Sequence, residues 1–176
     1  MQYRRSHTAG GTYFFTVNLA ERHSDILVHY IEDLRAVINA VKQAHPFAMV
    51  AMVVLPEHLH AIWRLPPGDA DYPLRWSLIK AGFSRRLAKD EPIPRSRLAK
   101  RERGIWQRRY WERQISDETD LARHVDYIHY NPVKHGWVRR PLDWPHSTLH
   151  GCIDRRLVTP DWGVAMDDGV SGCGGR

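Results

Sequence analysis

The chain has 176 residues and a mass of 20.5 kDa, room for one domain with a substantial core. Lys and Arg outnumber Asp and Glu by 26 to 20, giving +6 and a pI near 9.6, which favours a polyanionic partner without separating nucleic acid from an acidic membrane surface. Two cysteines, Cys152 and Cys173, exclude a disulfide scaffold. No apolar run reaches the length of a membrane span and no signal-like segment follows Met1, so a cytoplasmic protein with no membrane partner is expected.

In chain order, residues 1–11 make a basic, aromatic and then Gly-rich arm, which either lies along a phosphate backbone or is a disordered terminus. Thr12 to Leu19 is dense in β-branched and aromatic residues and reads as a strand. Ser24 is placed to cap a helix over 25–44, whose apolar positions Ile26, Leu27, Ile31, Leu34, Val37, Ile38 and Val41 keep helical spacing up to Pro46. Phe47 to Leu55 is apolar on both faces and reads as a central strand. After a break at Pro56-Glu57, a third strand runs from His58 to Leu65, closed by Pro66-Pro67-Gly68-Asp69.

A helix over 74–89 follows, with Leu74, Leu78, Ile79, Phe83 and Leu87 turned inward. Between Arg75 and Arg103 ten Lys or Arg meet only three acids, a one-sidedness that favours phosphate contact, and 90–104 reads as an exposed basic loop. A fourth strand is expected over 105–115. Ser116 is placed to cap a helix over 117–130, ahead of Pro132. Residues 141–148 read as an irregular packing segment and 163–176 as a tail too poor in apolar residues to fold alone. The order β-α-β-β-α-β-α predicts an α+β, ferredoxin-like split βαβ sheet with helices on one face, plus a last helix, in a single domain over 1–162.

Two features carry chemistry. On the third strand His58 and His60 are two apart and so project side by side, where two imidazoles can bind one metal ion from a rigid element. The plainer alternative is two satisfied polar residues at a strand end. On the last helix, at about 100° per residue, Leu121, Val125 and Ile128 form an apolar stripe, and Asp120, His124, Tyr127 and Asn131 form a polar stripe beside it, as at a helix edge overhanging a sheet. Tyr130 falls on the side facing water. A tyrosine at that edge can act as a nucleophile, but its phenol, with an ordinary pKa of about 10, needs a nearby cation or base. A metal on the histidine pair could supply it and polarise a phosphodiester oxygen. By itself Tyr127 reads rather as a helix-edge packing residue, and only the histidine pair favours the nucleophile.

Taken together, Val53-Val54-Leu55-Pro56-Glu57-His58-Leu59-His60 resembles the HUH motif (His-hydrophobic-His) of single-tyrosine transposases of the IS200/IS605 type, and residues 124–138 resemble their tyrosine helix. The REP-associated tyrosine transposases are the nearest in pattern. Residues 10–19, 106–112 and 143–148 echo them in order, so that the match covers roughly residues 3–162. The resemblance implies a divalent metal, Mg²⁺ or Mn²⁺, on His58 and His60, and Tyr127 as catalytic nucleophile. It also implies a substrate of single-stranded DNA folded into REP-type hairpins, cut through a covalent 5′-phosphotyrosine. In related enzymes a Gln one turn after the tyrosine is a third ligand; the matching residue here is Asn131. The arm would give Arg4 and Arg5 a role in reading a short tetranucleotide beside the hairpin. Arg75, Lys80, Arg85, Arg86, Arg108, Arg109 and Arg113 would hold the DNA. Relatives of the resemblance work as monomers or as homodimers. The competing reading is a catalytically silent hairpin-binding protein that kept the fold; a structural zinc site is disfavoured because two histidines lack a nearby Cys pair.

Overall fold

The structure is a computed structural model that describes residues 8–89 and 103–164. Four strands, β1 (Thr12–Asn18), β2 (Ala48–Val54), β3 (His58–Arg64) and β4 (Trp111–Gln114), form one antiparallel sheet in the order β2-β3-β1-β4. This is the arrangement expected of a split βαβ plan. Alternation along the strands sorts side chains onto two faces. Tyr13, Phe15 and Val17 of β1 and Leu59, Ala61 and Trp63 of β3 point to one side; Phe14, Thr16, His58, His60 and Ile62 point to the other.

The first face is closed by three helices. The expected helix over 25–44 is divided into α1 (Ile26–His29) and α2 (Ile31–Ala44), because Tyr30 leaves the helical region at φ −106° and ψ 37°. The division lets Leu27 enter the core while Leu34, Val37, Ile38 and Val41 lie along the sheet. Helix α3 (Tyr72–Arg86) starts two residues before its expected position: the Asp71 carboxylate accepts from the Leu74 N–H at 3.0 Å, and Pro73 suits the first turn. Its buried residues are Tyr72, Arg75, Trp76, Ile79 and Phe83, whereas Leu74, expected inside, is 40% exposed. Stacking of Trp63 on Trp76, with ring centroids 4.2 Å apart, joins sheet and helix.

The second face carries α4 (Glu118–Lys134), whose N-cap is Asp117, not Ser116: its carboxylate accepts from the Asp120 N–H at 2.8 Å. The helix runs on past 130 with Pro132 inside it. A 3₁₀ turn (Pro141–Asp143) and a short helix α5 (Leu149–Asp154) follow.

Two strand expectations need correction. The fourth strand is only four residues long. Residues 105–110 instead run irregularly beside the end of β1, held where the Gln107 N–H donates to the Asn18 carbonyl and the Trp106 indole to that of Lys80. Strand β2 lies at the sheet edge, not its centre. Its apolar character follows from what covers that edge: Val54 N–H donates to the His146 carbonyl at 2.9 Å, Thr148 N–H donates to that of Met52 at 2.9 Å, and Ser147 bridges Val53. An edge masked in this way is interior in all but topology. Most of the 90–104 basic loop, the arm up to His7 and the tail beyond Val164 lie outside the described residues, so the expectations placed on them do too. Among the described residues no helix is long and apolar enough to cross a membrane.

Candidate active site

His58 and His60 rise from the start of β3 with ring centroids 4.9 Å apart. Each is fixed from behind by a different neighbour. His60 Nδ1 lies 2.9 Å from the hydroxyl of Thr16, its cross-strand partner on β1. His58 Nδ1 lies 2.9 Å from Glu57 Oε1; a carboxylate only accepts, so His58 carries its proton there and presents the Nε2 lone pair outward. The hydrogen bond from His58 is the largest of the effects that hold the Glu57 carboxyl below the usual carboxylate range. Burial drives His60 well below the ordinary histidine value, reinforced by His58, His135 and Lys134, so it stays a neutral imidazole.

Helix α4 lays its polar stripe over this pair. Tyr127 is 4% exposed, with its ring centroid 5.2 Å from that of His60 and the Lys134 ammonium 4.8 Å from its ring centre. Phe14 underlies the group at 5.5 Å from His60, 5.9 Å from Tyr127 and 4.9 Å from His124. The sequence placed this stripe at an overhanging edge, but the structure packs it inward. His124, Tyr127, Ile128 and Asn131 are buried, and Leu121 and Val125 of the supposed core stripe are half-buried. Tyr130, expected in water, is half-buried.

The residues fit a metal ion on a direct observation. His60 Nε2 and both amide atoms of Asn131 are buried without a hydrogen-bond partner among the described residues. Leaving such a group unpaired costs about 1–3 kcal/mol apiece, and a bound cation is one partner that the lone pairs of His60 Nε2 and Asn131 Oδ1 could accept. Among the described residues no group of three His, Cys, Asp or Glu side chains is placed to hold an ion. Asn131, one turn beyond Tyr127 on α4, has a buried carbonyl oxygen with a lone pair free to serve as a further donor.

Sequence reasoning missed four neighbours of the site: Glu57, Thr16, Lys134 and His135, whose ring lies 5.1 Å from that of His58. Glu57 was open to inference, as the one acid inside the apolar run before the histidines. Thr16 needed the register.

The expected DNA-contacting residues divide. Arg4 and Arg5 lie outside the described residues. Arg75 is a correction: it is 2% exposed and spent internally, donating to both Asp69 carboxylate oxygens and to the carbonyls of His45, Pro46 and Asp71. Arg86 pairs with Asp33 at 2.9 Å, and Arg113 with Asp120 at 3.3 Å. Lys80 donates to the Gln107 carbonyl at 2.6 Å and, with Arg85, Lys89, Arg103 and Arg108, lines a groove of about 700 Å³ between α3 and residues 103–110. Among the described residues no Asp or Glu lines it. Arg109 is exposed beside it, ahead of β4. The groove and the histidine–tyrosine site lie on opposite faces of the sheet, and exposed Arg108, Arg109 and Arg113 stand before and on the β4 edge that joins them.

A family model described as "Transposase IS200 like" matches residues 10–131, a span that opens at the foot of β1 and ends on Asn131. A REP-associated tyrosine transposase of Escherichia coli (strain K12) is 44% identical over 171 residues, 97% of this chain and 96% of that protein. A solved structure of a REP-associated tyrosine transposase bound to a REP hairpin is similar with a TM-score of 0.81 at 44% identity, over 96% of this chain and 95% of that one.

Proposed function

Since the chain belongs to the IS200-like transposase family, as a single-tyrosine transposase of its REP-associated branch, we propose that it cuts and rejoins single-stranded DNA beside REP-type hairpins with the Tyr127 hydroxyl as nucleophile. The observation that carries this is the packing of Tyr127 directly against His60, whose Nε2 is buried without a hydrogen-bond partner among the described residues. The phenol oxygen attacks the phosphorus and the bond to the 3′ oxygen breaks. A 5′-phosphotyrosine forms, and the freed 3′ hydroxyl gains a proton in place of the one the phenol gives up. Attack on the phosphotyrosine by another 3′ hydroxyl restores a phosphodiester, so one such bond is exchanged for another and no nucleotide cofactor is consumed.

The residues that would hold a divalent ion are His58, His60 and Asn131. When bound, that ion would withdraw charge from the attacked phosphate and favour the phenolate. Two imidazoles favour Mn²⁺ over Mg²⁺. Lys134 adds a fixed cation over the Tyr127 ring, and Glu57 and Thr16 keep both imidazoles aimed. The basic groove of Lys80, Arg85 and Arg108 suits the phosphates of a hairpin stem, with the single strand passing the β4 edge by Arg109 and Arg113 to Tyr127.

The test is a denaturing gel of end-labelled DNA carrying a REP-type hairpin and a panel of unpaired flanks. Wild type and Tyr127→Phe are incubated with Mn²⁺ or with chelator. A covalent adduct that needs both Mn²⁺ and Tyr127 is the expected result. An adduct formed by Tyr127→Phe would remove Tyr127 from the role. Hairpin binding with no cleavage on any flank would establish the silent binder.

A further inference from the structure

The end of α4 holds a tryptophan in place without burying it. His135 is the C-cap and Gly136, at φ +74°, takes the left-handed position that follows it. The Gly136 N–H donates to the Val133 carbonyl at 2.9 Å and the Trp137 N–H to the Pro132 carbonyl at 2.9 Å. This pair of bonds is the full Schellman arrangement, so the Trp137 backbone is fixed to the helix that carries Tyr127. Its ring lies 6.0 Å from that of Trp144, which is itself anchored where the indole N–H donates to the Val54 carbonyl at 2.9 Å. With both backbone and one neighbour fixed, Trp137 is nevertheless 51% exposed, and it is the only tryptophan among the described residues classed as exposed.

Its position ties it to the reaction centre by two routes. Two residues before it, the ring of His135 meets His58. Through Trp144 it adjoins Val54, which faces Leu59 across β2 and β3, one residue from His58. From Tyr127 to Leu142 the chain carries Lys134, Arg139 and Arg140 and no acid. Arg140 is paired with Asp143 at 2.7 Å, and Lys134 and Arg139 are exposed, before and after Trp137 in the chain.

A half-open indole on a fixed backbone, in a stretch of chain that carries cations and no acid, at the rim of a site for single-stranded DNA, has the make-up of a base-stacking platform: the cations meet phosphates and the ring meets a base that has no pairing partner. We propose that Trp137 stacks one unpaired base of the strand presented to Tyr127 and so sets which flanking nucleotide fixes the cleavage register. The inference rests on the reading of this face as the DNA-cutting site, but its readout is binding, which does not require cutting.

The experiment measures fluorescence anisotropy, in chelator, of a REP-type hairpin with an unpaired flank, of the same DNA with one abasic site at each flank position in turn, and of the flankless hairpin. The proteins are wild type, Trp137→Ala and Trp137→Phe, each checked by thermal melting. Stacking of one base predicts that Trp137→Ala binds the flanked DNA about tenfold more weakly. Trp137→Phe keeps most of the affinity, and flankless hairpin binds all three alike. One abasic position weakens wild type by the same factor and has no further effect on Trp137→Ala. Affinity of Trp137→Ala for flanked DNA within twofold of wild type would overturn the proposal, as would an equal loss on the flankless hairpin or additive losses at every abasic position. If Tyr127 forms no adduct but the abasic pattern appears, the cutting reading fails and the platform stands; the reverse pattern separates them the other way.

Discussion

Glu57 should set the metal affinity of the site without touching the metal. Its carboxylate takes the Nδ1 proton of His58 at 2.9 Å and its side chain is 25% exposed. Removing the carboxylate frees the ring to rotate and weakens the lone pair on the other nitrogen. The loss of an outer partner of this kind costs roughly 10–100-fold in affinity, and a charge-assisted hydrogen bond is worth about 1.5–3 kcal/mol, or about one to two decades, so the two routes agree. Partial exposure places the expectation at the lower end: the Mn²⁺ concentration for half-maximal adduct formation rises about tenfold or somewhat more in Glu57→Ala. Glu57→Gln keeps a neutral acceptor, roughly half as strong, and should lose about threefold. The assay is adduct yield against Mn²⁺ at fixed hairpin DNA, with DNA binding in chelator expected to match wild type. A half-maximal Mn²⁺ concentration for Glu57→Ala within twofold of wild type would refute the reasoning.

Arg75→Ala should lower stability to urea by about 2–4 kcal/mol, since it strips donors from three carbonyls and a carboxylate, yet leave hairpin affinity of the folded protein unchanged. The Arg75 hydrogen bond is the main cause that holds the Asp69 carboxyl below its ordinary range. Because the folded value is depressed, this contribution is present above the unfolded carboxylate range and lost as pH falls through the folded value, so the urea midpoint of Arg75→Ala should fall less steeply on acidification than that of wild type. Gly82→Ala in α3 would gain about 1 kcal/mol of helix propensity, but the added Cβ would stand 2.8 Å from Val37 Cγ1 on α2. Overpacking costs about 1–3 kcal/mol, and a β-branched side chain in a helix has little freedom to yield, so a lower melting temperature is expected. Asn131→Leu should raise the melting temperature in chelator, since it removes two unsatisfied buried atoms while keeping the branched side-chain shape, and should abolish the stabilisation that Mn²⁺ gives wild type.

Much of the site was legible because its periodicities are strict. A spacing of two on a strand put His58 beside His60, and one of three to four on a helix put Tyr127 and Asn131 on one stripe; the family resemblance then joined the two surfaces. What the sequence left hidden is set by long-range contact. The inward rotation of the Tyr127 stripe depends on Phe14, more than a hundred residues earlier, offering a ring for His124 and Tyr127 to rest on. β2 reads as central because residues 146–148 cover its edge, which no local pattern reports. Arg75 counts as one more cation in a basic run; only the fold shows that the turn carrying Asp69 closes on it. The split at Tyr30 and the choice of Asp117 over Ser116 as cap are decisions between adjacent residues, where local preference is weakest.

The two faces of the sheet divide stability from chemistry. On the α2–α3 side the interior is continuous and apolar, built around Phe15, Trp63, Trp76 and Phe83. On the α4 side the apolar cluster is smaller and is interrupted by His60, His124 and Asn131, each with at least one buried atom that has no hydrogen-bond partner among the described residues. The α2–α3 side holds such atoms too, the Trp63 and Trp76 indole nitrogens, each at about 1–3 kcal/mol, but an indole N–H can only donate, whereas His60 Nε2 and Asn131 Oδ1 carry lone pairs that a cation could satisfy. The same arrangement gives the site its rigidity. His58 and His60 project from a strand hydrogen-bonded on both sides, in register with β1 and β2, and Tyr127 from a 17-residue helix, so neither depends on a loop for its position. Substitutions on the two faces should therefore separate cleanly: those beneath α2 and α3 move the melting temperature, and those beneath α4 move the response to Mn²⁺ and to DNA.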